Sequence, residues 1–259
     1  MEVVPCADDG EVSTLAADAV AALVRRRPGA VLGVATGSTP AGLYRELVRR
    51  RRDGVLSLAT TTVFLLDEYV GLPSGHPASY REEIRRALGP AGVPDGGIHA
   101  PDGAAADLAG EGDRYEAAIA TAGGVDLQVV GIGANGHLAF NEPSSSLASR
   151  TRVKTLTART RADNARFFAS PDEVPTHVLT QGLGTIRDAR HVVLLALGER
   201  KAAALAAAVE GPVTARCPAS VLQLHPHVTV LVDPPAATRL QDLDHYRHVW
   251  RHKPYWQGL

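Results

Sequence analysis

Apolar residues recur along this chain with two different periods. Over positions 11–27, Val12, Leu15, Ala16, Ala19, Val20, Leu23 and Val24 follow helical spacing, and Pro28-Gly29 ends the run. Compact apolar runs at 30–35, 61–66, 125–130, 191–197 and 228–232 read as buried strands, with shorter ones at Val3-Val4 and Ile98-His99. Residues 41–52 place Leu43, Tyr44, Leu47 and Val48 on one helical face, behind Ser38-Thr39-Pro40. Proline just inside a helix start, after Ser/Thr caps, is a well-formed N-terminal signal. Further helices are expected over 78–88, 104–122, 159–168 and 178–188, the last capped at Thr176 or Thr180, and in the alanine-rich stretch after Lys201. Residues 89–103 read as irregular, 144–157 as polar and basic, and the tail from about 234 as polar with a few large aromatics. Strands alternating with helices predict an α/β fold: one domain over 1–259, with a mostly parallel sheet covered on both faces in the doubly wound, Rossmann-like manner. There is no solenoid repeat and no Gly/Ser linker.

Composition narrows the functional classes. A hydrophobic content of 45% supports a substantial core. The net charge is -1 and the 27 basic residues are dispersed. That argues against a nucleic-acid surface and leaves room for a local anion pocket. Cys6 and Cys217 stand far apart without ligand spacing, so neither a disulfide nor a metal is expected. No signal segment and no window of ~20 apolar residues is present, which predicts a soluble cytoplasmic protein without membrane contact.

Three strand ends carry candidate chemistry. Residues 131–143 follow an apolar strand with Gly131, Gly133 and Gly136, then Asn135, His137, Asn141 and Glu142. Glycines let a backbone turn sharply close to a ligand, and open α/β sheets put their sites at such strand ends. His137 has Asn135 and Glu142 near it, groups able to fix its tautomer and make it a better base. No metal-ligand spacing is matched here. Asp67-Glu68-Tyr69 closes another strand; its carboxylates could be solvated, cap a turn or act as a general base. Thr36-Gly37-Ser38-Thr39 joins a strand to a helix start, where N–H groups and hydroxyls bind anions or simply cap the helix. No Walker loop occurs. Arg166 and Lys201 read alone as surface charges.

The segments 66–72, 136–143, 149–155, 164–168 and 222–226, in this order, resemble the glucosamine-6-phosphate deaminase (isomerase) family from the N-terminus to about Leu231, and more loosely beyond. The resemblance implies conversion of glucosamine 6-phosphate and water to fructose 6-phosphate and ammonia, without metal or organic cofactor. It implies that His137 opens the sugar ring with Glu142 and Asn135 as supports, and that Asp67 shuttles the C2 proton to C1. It assigns the phosphate to Thr36, Gly37, Ser38, Thr39, Arg166 and Lys201. Many members carry Asp where this chain has Asn135, and an amide orients the imidazole without adding negative charge. Some members are hexamers activated by N-acetylglucosamine 6-phosphate, which points to Ser145, Arg152, Lys154 and Tyr246 as an effector site and to a homo-oligomer. On an extended segment Arg152 and Lys154 share a side; a plain basic patch would look the same. The alternatives are a related sugar-phosphate isomerase or lactonase, and a non-catalytic sugar-phosphate sensor. The sensor would normally bring a DNA-reading module, for which the chain has no spare basic segment.

Overall fold

Seven apolar strands pair side by side, all parallel, in the computed structural model, which describes residues 1–259 apart from the side chains of Arg159 and Asp163. In chain order the elements are β1 (Glu2–Pro5), α1 (Asp9–Arg26), β2 (Val31–Val34), α2 (Ala41–Arg52), β3 (Thr62–Leu65), β4 (Asp67–Tyr69), α3 (Tyr80–Leu88), β5 (Ile98–His99), α4 (Leu108–Thr121) and β6 (Leu127–Gly131). Then follow β7 (Arg152–Thr155), α5 (Ala158–Asn164), β8 (His177–Thr180), α6 (Leu183–Arg187), β9 (His191–Ala196), α7 (Ala202–Val209), β10 (Val228–Val232), α8 (Pro234–Ala237) and α9 (Leu243–Arg251). The main sheet runs β1-β10-β9-β6-β2-β3-β5. Each central strand is buried along its whole length because helices cover both faces, and alternate residues feed two cores. Val192, Leu194 and Ala196 of β9 pack with α4, α6 and α7, whereas Val193 and Leu195 pack with α1, α2 and α3. Each buried Val or Leu contributes about 1.5–3 kcal/mol, so this two-sided burial is the main stabilising term.

The order of connections matters for function. From β2 the chain moves outward to β3 and β5, then returns to the other side of β2 as β6 and continues to β9 and β10. The direction of winding therefore reverses between β2 and β6. At such a switch point the two following loops diverge and leave a crevice at the carboxyl ends of the strands.

A second sheet, β4-β8-β7, is antiparallel. It corrects two expectations. Residues 178–188 are not one helix: β8 comes first, pairing with both β4 and β7, and only the short α6 follows. A side chain at Gly182 would place Cβ 2.0 Å from the Ser149 carbonyl oxygen, so the chain breaks there against that loop. Asp67-Glu68-Tyr69, expected only to close a strand, is itself β4, and the basic stretch contributes β7. The helix expected from 104 begins at Leu108, where Asp107 caps it by accepting from the Gly110 N–H. No helix among the described residues is long and apolar enough to cross a membrane.

Candidate active site

The loops after β3, β2, β6 and β9, four adjacent strands, bring the candidate residues to one end of the sheet. The stretch after β6 is held mainly by bonds within itself. Gly133 N–H donates to the His137 carbonyl (2.9 Å), Gly136 N–H to the Gly133 carbonyl (2.9 Å), and Asn141 N–H to the Leu138 carbonyl (3.0 Å). Gly133 is required for packing: an added Cβ would lie 2.3 Å from the His137 ring. Gly136 has φ +83 and lies against the Cys217 thiol, so a side chain there is excluded twice. Ala139 (φ 51) and Ser144 (φ 79) hold left-handed conformations without being glycine. Such strain persists only where the surroundings over-determine the backbone, and it clusters at functional sites.

Asn135, His137 and Glu142 come together as expected. The Asn135 amide donates to Glu142 Oε2 at 2.5 Å, and its oxygen accepts the His137 N–H at 3.2 Å. His137 Nδ1 lies 3.5 Å from Glu142 Oε2. This is a close polar contact that falls short of a well-formed hydrogen bond, and Nδ1 has no other partner. Thr160 Oγ1 donates to the second Glu142 oxygen at 2.9 Å. The His137 ring, with the Asn135 and Thr160 donors, outweighs partial burial and holds the Glu142 carboxyl down at about 2. Glu142 is thus a fixed negative charge beside the imidazole.

Asp67 is 6% exposed, and burial raises its carboxyl well above the usual range, with Glu68 and Glu83 adding repulsion. A buried carboxyl with raised proton affinity suits a group that must both take and return a proton. Glu68, by contrast, is structural. Its oxygens accept the Tyr69, Tyr80 and Arg81 N–H groups and the Ser79 hydroxyl, which caps α3.

The small sheet joins these parts. Asp67 pairs with Thr180, whose Oγ1 accepts the Phe140 N–H at 3.2 Å. Asn141, fully buried, donates through Nδ2 to the carbonyls of Gln181 (2.8 Å) and Leu138 (3.0 Å). Gln181 in turn donates its N–H to the Leu66 carbonyl (2.7 Å) and its amide to that of Leu65 (2.9 Å). Thr160, Thr180, Gln181 and the clamping role of Asn141 escape sequence reasoning. For Asn141 the sequence signal is a polar amide within the candidate stretch 131–143.

On the neighbouring strand end, no side chain caps α2, so the hydroxyls of Ser38 and Thr39 are not consumed by the helix as ordinary caps. Thr36, Gly37 and Thr39 are half-buried and Ser38 is exposed. Thr39 lies against Gly131, joining the turn to the start of the other stretch. Lys201 sits just before α7 on the β9 loop. Arg166 is exposed, with its guanidinium 4.8 Å above the exposed Phe167 ring. No described contact joins Arg166 to the turn. Of the effector candidates, Arg152 and Lys154 lie two apart on β7, and Ser145 is buried with an unpartnered hydroxyl. The Tyr246 hydroxyl donates to Glu210 (3.1 Å), without a described contact to the other three. A separate cavity of about 620 Å³ opens at the opposite ends of the strands, near Arg26, His191 and Trp250, and holds none of these groups.

A switch-point crevice with an uncapped helix start, an imidazole beside a carboxylate and a buried carboxyl of raised proton affinity defines an α/β protein with a candidate acid–base site at the carboxyl ends of its strands. Comparison with known proteins makes this specific. Residues 10–231 match the model of the family "Glucosamine-6-phosphate isomerases/6-phosphogluconolactonase", and the chain belongs to that family. It is 58% identical over 260 residues to a glucosamine-6-phosphate deaminase of Arthrobacter sp. (strain FB24), and 56% identical over 261 residues to one of Mycolicibacterium smegmatis, with both chains covered in full in each case. Among solved structures, a monomeric glucosamine-6-phosphate deaminase matches with TM-score 0.89 and 42% identity, over 92% of this chain and 100% of the other. A 6-phosphogluconolactonase from Trypanosoma cruzi matches with TM-score 0.74 over 93% and 97%, but at 21% identity, which speaks to the fold alone.

Proposed function

We propose that the protein is a glucosamine-6-phosphate deaminase, converting glucosamine 6-phosphate and water to fructose 6-phosphate and ammonia. The observation that carries the reading is Asp67: a buried carboxyl of raised proton affinity at the same end of the sheet as a separately held imidazole. Two acid–base groups with distinct surroundings are what an isomerisation coupled to ring opening requires. A simple hydrolysis of a lactone does not need the carbon-to-carbon proton shuttle.

In this mechanism the phosphate sits on the turn 36–39 at the start of α2, with Lys201 and Arg166 as cations. His137 moves a proton between the ring oxygen and the C1 hydroxyl, so the sugar opens to the aldehyde. Glu142 steadies the imidazole, and Asn135 holds both the Glu142 carboxylate and the His137 backbone. Asp67 then takes the C2 proton to give an enolamine and returns it to C1. The resulting C2 imine is hydrolysed by water, releasing ammonia and leaving the ketose.

Ammonia release from glucosamine 6-phosphate by the purified protein tests the reading. Asp67→Asn is expected to lower kcat by about 10³-fold, within the range for a general base. No ammonia from the wild type, or undiminished release by Asp67→Asn, would overturn the assignment.

A second reading concerns regulation. The buried, unpartnered Ser145 hydroxyl and the half-buried Arg152, whose guanidinium burial pushes down, favour an added anion near β7. We infer an effector site there for N-acetylglucosamine 6-phosphate. Substrate curves that stay hyperbolic and do not respond to that compound would remove it.

A further inference from the structure

Glu83 lies in the first turns of α3, half-buried, and its Oε1 accepts the Gly37 N–H at 2.8 Å. That N–H belongs to the turn assigned above to the substrate's phosphate. An anionic oxygen of the protein itself therefore already rests on the turn. The same helix is fixed at its N-terminus by Glu68, the immediate neighbour of Asp67. Through α3, the turn after β2 and the carboxyl after β3 are mechanically joined.

The charges around Asp67 single out Glu83. Glu68 faces it from its own strand and Glu83 from α3. Tyr69 of β4, Tyr80 of α3 and Tyr115 of α4 also face it, while Tyr44 of α2 faces Glu83. Burial raises all four phenols, Tyr69 to about 12, so they stay neutral. Among the described residues, Glu68 is pinned by four donors, whereas Glu83 is held by a single N–H. Of the two carboxylates, Glu83 is the one a ligand could shift.

We propose that Glu83 is a positioning residue that couples the anion turn to Asp67: it occupies the Gly37 N–H until the substrate's phosphate arrives, and repulsion between the two anions then moves its charge off the turn. This rests on the reading that the turn receives the phosphate. Glu83 thereby weakens phosphate binding and, while in place, makes Asp67 the stronger base.

The test combines a binding measurement with a pH profile. Binding of inorganic phosphate is read by thermal shift and calorimetry, which need no turnover, and the acid limb of kcat/KM against pH, which reports the free enzyme with Glu83 still on the turn, is read from ammonia release. Glu83→Gln removes the charge and is expected to tighten phosphate by about threefold or more. It should also move the acid limb down by about half a pH unit, since Asp67 loses a repelling neighbour. Glu83→Asp keeps the charge but shortens its reach. It is expected to tighten phosphate and leave the acid limb in place, and it serves if the Gln variant does not fold. Unchanged phosphate affinity in either variant, or an unmoved acid limb in Glu83→Gln, overturns the coupling. If the wild type binds phosphate but releases no ammonia, it is the deaminase reading that fails, and the binding arm still judges Glu83's hold on the turn.

Discussion

Two glycine-containing turns stand side by side at the switch point, and they are built on opposite plans. The stretch after β6 spends its polar groups on itself: its N–H groups, its amides and a clamp from Gln181 fix every turn of the backbone. The turn after β2 presents its groups outward, with no cap on α2 and a Glu83 carboxylate as the partner of its Gly37 N–H. The first plan suits groups that must be placed before the reaction begins. The second suits groups that must meet a ligand. The expected kinetic signature is a split: damage to the first should lower kcat, and damage to the second should raise KM.

Between the two turns, the larger effect is expected from Gly133→Ala. Its Cβ would lie 2.3 Å from the imidazole, so the ring must move. A displacement on the order of 1 Å costs about 10²-fold in kcat, and KM should change little. A rise in KM alone would break the comparison. Ser38→Ala is expected to raise KM by about tenfold, the loss of one hydrogen bond to a charged group, with kcat nearly unchanged. If kcat falls equally, the turn is part of the chemistry and the division is wrong.

Asn135→Asp sharpens the first half of the comparison. It replaces the donor to Glu142 with a second carboxylate at the same 2.5 Å contact. Two such groups cannot both be charged at low cost, so one must bind a proton more tightly. The pH–rate profile should therefore differ from that of the wild type; superimposable profiles would mean the amide's identity is immaterial.

The smallest effects are on stability. Glu142 is held at about 2, below its unfolded value, so its contribution is present above the unfolded pKa and is lost as the pH falls from about 5 toward 2. After discounting for solvent screening this amounts to about 1–3 kcal/mol, and Glu142→Gln should flatten acid unfolding in that window. Asp67 has the opposite sign. Its folded pKa is raised, so the fold is penalised as the pH climbs through it. Each tenfold gain in proton affinity corresponds to about 1.4 kcal/mol. Asp67→Asn should therefore raise the melting temperature at neutral pH while removing activity, and an unchanged or lower Tm would contradict the burial argument.

The main sheet and the clustering of Asn135, His137 and Glu142 could be read from the chain because both leave local marks. Strands buried on two faces are continuous apolar runs, and a glycine turn crowded with polar groups is conspicuous at the end of one. The small sheet leaves no such mark. Its strands are three or four residues long, and Asp67, Arg152 and Lys154 within them are polar. Across β8 and α6 the spacing of Leu179, Leu183 and Ile186 imitates one helix, although Gly182 interrupts it. Pairing with β4 and β7 decided the outcome, and that information lies more than twenty residues away. Glu83 was hidden for a similar reason. A glutamate among arginines on a helix looks solvated until the fold carries Gly37 to it.

The pairing of β1 has a consequence for how the chain is made. Its partner in the sheet is β10, with Val3 beside Val230 and Val4 beside Leu231. β1 therefore stays unpaired along its backbone edge until β10, made much later, has left the ribosome. Such long-range closure is slow and exposes sticky edges. A chain halted before Val228 would carry the turn 36–39, Asp67 and His137, yet lack the strand that pairs with β1.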